Sequence, residues 1–180
     1  MKNYLKLSVA SLAVVLLVLL TNCVKESDPI VVAPTPYVGI TELGPQFQLQ
    51  DSTFLVGDTK EIVVRVKNIG DVYSEGSLSL YVSGYPAFDI SFNSTATEAS
   101  ILTGTVDVQN QNWASVEGSG FMYLETPLSI ASGEEINISL RLTAREAGQL
   151  NTLSVTLGER SGGDIDFTNN VVTKVLSISQ

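Results

Sequence analysis

Lys60-Glu61-Ile62-Val63-Val64-Arg65-Val66-Lys67-Asn68-Ile69 decides the fold. Ile62, Val64 and Val66 alternate here with Glu61, Val63, Arg65 and Lys67. Successive side chains of a strand point to opposite faces, so the alternation predicts a half-buried strand with Ile62, Val64 and Val66 turned inward. Gly57-Asp58-Thr59 before it and Gly70-Asp71 after it are turn residues. The pattern returns three times. Leu78, Leu80 and Val82 share a face of Ser77–Ser83; Ile136, Ile138, Leu140 and Leu142 share a face of Glu135–Thr143; Leu153, Val155 and Leu157 share a face of Leu150–Leu157. Shorter strand candidates are Phe47–Gln50, Phe54–Val56, Ala87–Phe92, Phe121–Leu124 and Val171–Ile178. Asn93–Ser100 reads as a polar loop or edge, Ile101–Val108 as one alternating run, and Gly158–Asn170 as a long polar connection. No segment beyond the N-terminal stretch has a helical period. The chain is therefore expected to be all-β: an immunoglobulin-like antiparallel β-sandwich of about seven to nine strands over residues 37–180, with an elaborated middle region from Tyr85 to Leu124.

The first residues belong to delivery. Lys2 and Lys6 precede the apolar run Leu7–Leu20, which at 14 residues is short against the roughly 20 needed to cross a bilayer. A positive start, an apolar middle and a small polar end describe a secretory signal, expected over residues 1–22; an uncleaved N-terminal anchor is the other reading. Leu20-Thr21-Asn22-Cys23 resembles the lipobox of bacterial lipoproteins, which implies cleavage before Cys23 and lipid on its sulfur and its new amino group. Asn22 departs from the Gly, Ala or Ser usual there. Cys23 is the one cysteine of the chain, and lipidation accounts for a lone thiol in a secreted domain. Each buried acyl methylene contributes roughly 0.8 kcal/mol, so several acyl chains hold a protein to its membrane. Val24 stands where an inner-membrane retention mark would carry Asp. Lys25-Glu26-Ser27-Asp28 looks like the charged tags of surface-exposed lipoproteins in some Gram-negative bacteria. The expected address is the cell envelope, at the outer membrane and its surface. Residues 23–36 are expected to be the lipidated Cys and a proline-containing tether; Glu26–Pro36, with Pro29, Pro34 and Pro36, reads as extended over about 30 Å.

Three signatures follow in order. Gly57-Asp58-Thr59 opens Val64-Arg65-Val66-Lys67-Asn68-Ile69-Gly70. Ser132-Gly133-Glu134-Glu135 opens Ile136–Leu142, with Ala147-Gly148 after it. Asp166-Phe167-Thr168-Asn169-Asn170 precedes the last strand. Over Phe47–Ile178 this is similar to bacterial CARDB-like domains, immunoglobulin-like modules of secreted and surface proteins. The resemblance implies adhesion or the spacing of other modules and brings no catalytic residues. Tyr85–Leu124 is longer than that family's usual middle.

Composition narrows the chemistry. The chain has no histidine, which excludes His-based triads, proton shuttles and imidazole metal sites. One cysteine excludes Cys-rich zinc sites. There is no phosphate-binding Gly-rich loop, and no cofactor is expected. The formal charge is −9; once Lys2 and Lys6 leave, 10 basic residues become 8 against 19 acidic ones, or −11. Such a chain lacks the basic patch that nucleic acid requires. Glu61, Asp71, Glu75, Glu134, Glu135 and Glu146 fall on turns and outward strand positions, where acids are solvated rather than paired for glycoside hydrolysis. Asp164, Asp166 and Asn169 offer oxygens at a spacing that suits calcium without following the EF-hand rule; the same residues also make ordinary turns. Tyr85, Trp113 and Tyr123 are the candidates for stacking on a ligand. The competing reading places Phe88, Phe92 and Phe121 in the core and Trp113 over an open end of the sandwich. The expected function is a lipid-anchored, non-catalytic binding, adhesion or spacer module. Its partners would be the membrane through lipid on Cys23 and another envelope protein or a glycan. The alternative is a carbohydrate-binding lipoprotein using exposed aromatics in Tyr85–Tyr123.

Overall fold

A computed structural model of the chain describes residues 39–49, 52–84, 86–118 and 121–180. The expected signal, Cys23, the tether and Tyr85 lie outside the described residues. Twelve strands occur among those described: β1 (Leu43–Leu49), β2 (Thr53–Leu55), β3 (Thr59–Asn68), β4 (Leu78–Ser83), β5 (Phe88–Ser91), β6 (Glu98–Ile101), β7 (Gly104–Asp107), β8 (Ala114–Gly118), β9 (Phe121–Thr126), β10 (Glu135–Ala144), β11 (Gly148–Leu157) and β12 (Val171–Ser179). One sheet has the order β1-β3-β10-β5, the other β2-β12-β11-β4-β9-β8, and β6-β7 is a separate hairpin. Within the two main sheets every pairing is antiparallel except β12 with β2. The protein is an all-β sandwich.

The two cleanest alternations in the sequence are neighbours. In the β3–β10 ladder Ile136 lies opposite Val66, Ile138 opposite Val64 and Leu140 opposite Ile62. Cross-strand partners share a face, so one apolar row continues the other. Ile62, Val64, Val66 and Ile138 are fully buried, and they pack in one core with Leu80, Val82 and Val155 of the second sheet. Each such side chain contributes roughly 1.5–3 kcal/mol by leaving water.

The middle region departs from the expected strands. Ile101–Val108 is not one run: Gly104 has φ +129°, a region that favours glycine, and the chain folds back as the β6–β7 hairpin. Its first strand takes the end of Asn93–Ser100, the stretch expected to be a polar loop or edge. The hairpin buries Val63, placed by alternation on the polar face of β3, against Ala99 and Val108. Ten strands rather than seven to nine therefore make the two main sheets, with the hairpin laid on the smaller one. β5 pairs only with Arg141–Ala144 of β10. Further along that edge the 109–110 segment serves instead. Asn137 N donates to Gln109 Oε1 (2.7 Å) and Ser139 N to Asn110 Oδ1 (2.9 Å).

Two of the three signatures quoted from the sequence touch one another. Asn68 is fully buried. Its Nδ2 donates to Val72 O (2.7 Å) and Ile130 O (2.9 Å), and its Oδ1 accepts from Gly70 N (3.0 Å). Its main-chain N donates to Glu134 O and its carbonyl accepts from Gly133 N. The Ser132-Gly133-Glu134 turn thus docks on the Asn68-Ile69-Gly70 corner. A Cβ on Gly70 would stand 2.2 Å from Ile40 O, which explains a glycine at the place where the chain entering β1 passes.

Candidate functional site

Alternation puts one set of side chains on each outward face, and register decides which of them stand together. The outward face of the smaller sheet is charged and partly covered. Arg65 pairs with Glu135 (3.2 Å), Arg141 with Glu61 (3.6 Å) and Arg145 with Asp89 (2.6 Å), while the hairpin and the 109–110 segment lie over β3 and β10. Exposed pairs of this kind contribute roughly 0–1 kcal/mol each, so they colour the surface more than they hold it.

The outward face of the six-stranded sheet differs. Val116, Tyr123, Tyr81, Thr156 and Val171 stand side by side across β8, β9, β4, β11 and β12. Gly118, Phe121, Ser83, Ser154 and Thr173 form the next row. The Phe121 ring lies across Gly118, where a Cβ would meet it at 2.1 Å. Val116 is 60% exposed, Tyr81 50% and Phe121 44%. Among the outward strand positions of this face only Glu125, at the β9 corner, is charged. Tyr81 and Tyr123 have ring centroids 4.8 Å apart, tilted by 50°. The Tyr123 hydroxyl donates to Glu125 Oε2 (3.2 Å). Burial raises the Tyr123 phenol above its usual pKa, and the hydrogen bond and charge of Glu125 push it the same way. The Tyr123 phenol therefore keeps its proton at physiological pH.

Of the three aromatics expected to stack on a ligand, the structure places Tyr123 on this face. Trp113 is a correction: it is 4% exposed and packs in the main core. Its indole sits where the 110–112 turn drops the chain inward ahead of β8, and burying so large an apolar surface outweighs display. Phe88 is buried as the competing reading had it, whereas Phe121 is turned out. Register, not composition, supplies Tyr81, Phe121 and Val116 to the face.

The oxygens of the connection before β12 separate. Asp164 is fully buried and its Oδ1 accepts from Leu43 N (3.2 Å). Asp166 caps the short turn after it, accepting from Thr168 N (2.9 Å) and Thr168 Oγ1 (2.7 Å). These bonds hold its carboxyl below the usual range. Asn169 Nδ2 donates to Glu42 Oε1 (2.9 Å). Asp166 is thus engaged apart from Asp164 and Asn169, which both reach the start of β1. Among the described residues no three acidic, histidine or cysteine side chains come together as a metal cluster.

Comparison with solved structures bears on the fold. The crystal structure of the CARDB domain of a Pyrococcus furiosus protein, in complex with di-metal ions, superposes with a TM-score of 0.51 at 18% identity, over 79% of this chain and 96% of that one. The chain has a CARDB-like fold. A cohesin module from a Clostridium perfringens family 33 glycoside hydrolase aligns over 79% of this chain and 98% of its own, at 14% identity and a TM-score of 0.48. No family model and no curated protein matches the sequence. The segment between β5 and β9 lays the hairpin on the smaller sheet and adds β8 to the edge of the larger one, whose outward face no described strand covers.

Proposed function

We propose that the protein is a lipid-anchored, non-catalytic binding module of the bacterial envelope, and that it meets a partner protein through the outward face of the six-stranded sheet. The observation that carries this reading is the near absence of charge from that face in a mature chain of charge −11. The centres of protein interfaces are depleted in charged residues and enriched in Tyr and Phe. A face six strands wide spans about 24 Å, and its longest strands run about 30 Å. Both dimensions match the roughly 800 Å² that each partner contributes to an ordinary interface.

A glycan is the weaker occupant. Sugar stacking needs free ring faces in one plane. Tyr81 and Tyr123 instead lean on each other at 50°, and Trp113 is in the core. The anchor rests on Leu20-Thr21-Asn22-Cys23 after the apolar run, and the non-catalytic reading on the missing histidine and the scattered acids. Radiolabelled palmitate fed to expressing cells is expected to enter the protein and to be lost in Cys23→Ala, with the variant released from membranes. Label that fails to enter, or that enters the variant equally, contradicts the anchor.

A further inference from the structure

The six-stranded sheet ends in two open edges. At one of them β8 has no described strand beyond it, and it carries neither proline nor bulge. All five of its residues are exposed. Ser115 and Glu117 lie opposite Leu124 and Met122, which are fully buried. These two side chains therefore belong to the inward face, yet no second layer covers them. At the other edge β2 pairs with Ser177–Ser179 of β12, and no described strand lies beside Val171–Val175 on that side. Lys174 lies opposite the fully buried Leu153, so it points inward as well. It lines a cavity of about 400 Å³ with Phe47, Gln48 and the hairpin tip Ile101-Leu102-Thr103, where Leu102 is 78% exposed. Among the described residues neither Glu117 nor Lys174 forms an ion pair within 4.0 Å.

An inward-pointing charge on an edge strand ordinarily guards that edge against pairing. Here the two ends of one sheet carry opposite signs, so unlike ends attract and like ends repel. Four antiparallel pairings separate β8 from β12, so the two strands run in the same direction. A second copy that keeps its inward face on the same side therefore presents β8 parallel to β12, as β2 already lies. We infer that β8 of one copy adds to the open edge of β12 in the next, so that the chain assembles head to tail with Glu117 beside Lys174. In that register the five residues Ala114–Gly118 run along Val171–Val175. Ser115 then meets Val172 on the inward side and Val116 meets Thr173 on the outward side. The cavity beside Lys174 leaves room for the Glu117 side chain. Strand addition supplies main-chain hydrogen bonds, and the charge pair supplies register and choice of partner. The contact uses different surfaces on the two copies, so it generates open chains rather than a closed dimer. The partner proposed for the outward face meets another surface, so either reading can fail without the other.

The test is cross-linking of the full chain in whole cells with a short, membrane-permeant bis-maleimide. Val116→Cys and Thr173→Cys are combined in one chain, which leaves Glu117 and Lys174 in place. Within a copy these positions are four strand spacings apart, roughly 19 Å, too far for the reagent, so a cross-link joins two copies. The expected result is a ladder of dimers, trimers and longer species, with monomer alone from either single variant and from the unmutated chain. Glu117→Lys in the paired-cysteine chain is expected to reduce the ladder at least about tenfold, and the further change Lys174→Glu to restore it. Absence of the ladder from the paired-cysteine chain would overturn the inference, whatever the behaviour of the charge variants. So would a dimer from Val116→Cys alone, which would mean that β8 pairs with β8. A ladder indifferent to Glu117→Lys, or a loss that Lys174→Glu does not restore, would overturn it as well.

Discussion

Replacing Ile138 by alanine is expected to lower the stability of the sandwich by about 3–4 kcal/mol. Ile138 is fully buried at the middle of β10, opposite Val64 of β3. Its side chain faces the row that includes Leu80, Val82 and Val155 in the other sheet. Truncation removes apolar transfer energy and also leaves a cavity, because strands fixed on both edges by hydrogen bonds cannot collapse to fill it. Against a total of about 5–15 kcal/mol for a domain, that is a large fraction. Equilibrium urea unfolding measures it as a lower midpoint with an unchanged slope. Arg141→Ala, on the opposite face of the same strand and 3.6 Å from Glu61, is expected to cost no more than about 1 kcal/mol. Equal costs for the two would mean that the faces of β10 are not inside and outside.

Asn68→Ala is the second large effect, expected at about 3 kcal/mol. The side chain has no apolar mass to lose. What it loses is three hydrogen bonds that join the end of β3 to two other passages of chain, at Val72 and Ile130. Val72 O would lose this donor, while Ile130 O keeps Ser74 N and Gly70 N keeps Glu42 O; an unmet buried group costs roughly 1–3 kcal/mol, and the two other lost bonds add to it. Asn68→Asp is expected to destabilise nearly as much, since a carboxylate can still accept from Gly70 N but cannot donate to the two carbonyls. Urea unfolding of both variants checks this; an aspartate variant as stable as the unmutated chain would contradict the assigned donors.

These two residues show what was legible in the sequence. Ile138 was readable because a half-buried strand writes its burial into a period of two, and both members of the central ladder carry that period without interruption. Asn68 was readable only as a turn former. Its hydrogen bonds run to Val72 and to Ile130, and the second is separated by 62 residues, a distance no local pattern encodes. Val63 misled for a related reason: alternation assumes that one face meets water, and the hairpin removes that water. The hairpin itself was hidden because Leu102-Thr103-Gly104 breaks the run without breaking the alternation of residue types. Trp113 and Tyr123 belong to the same aromatic cluster in sequence, yet one is core and the other surface. Their fates depend on where the turn at residues 110–112 and the β8–β9 register put them. The bare face was present in the sequence as Ser79, Tyr81 and Ser83 and as Thr152, Ser154 and Thr156, all uncharged outward positions. It became a surface only when register set those strands beside β8, β9 and β12.

The outward face of the six-stranded sheet carries the proposed function, and it can be interrogated in living cells. A photo-crosslinking amino acid placed singly at Tyr81 or Val171 reports on that face; at Gln46 or Arg141 it reports on the opposite one. The account expects one discrete protein adduct from Tyr81 and Val171 after irradiation of intact cells, and none from Gln46 or Arg141. Adducts from Gln46 and Arg141 with none from Tyr81 and Val171 would contradict it.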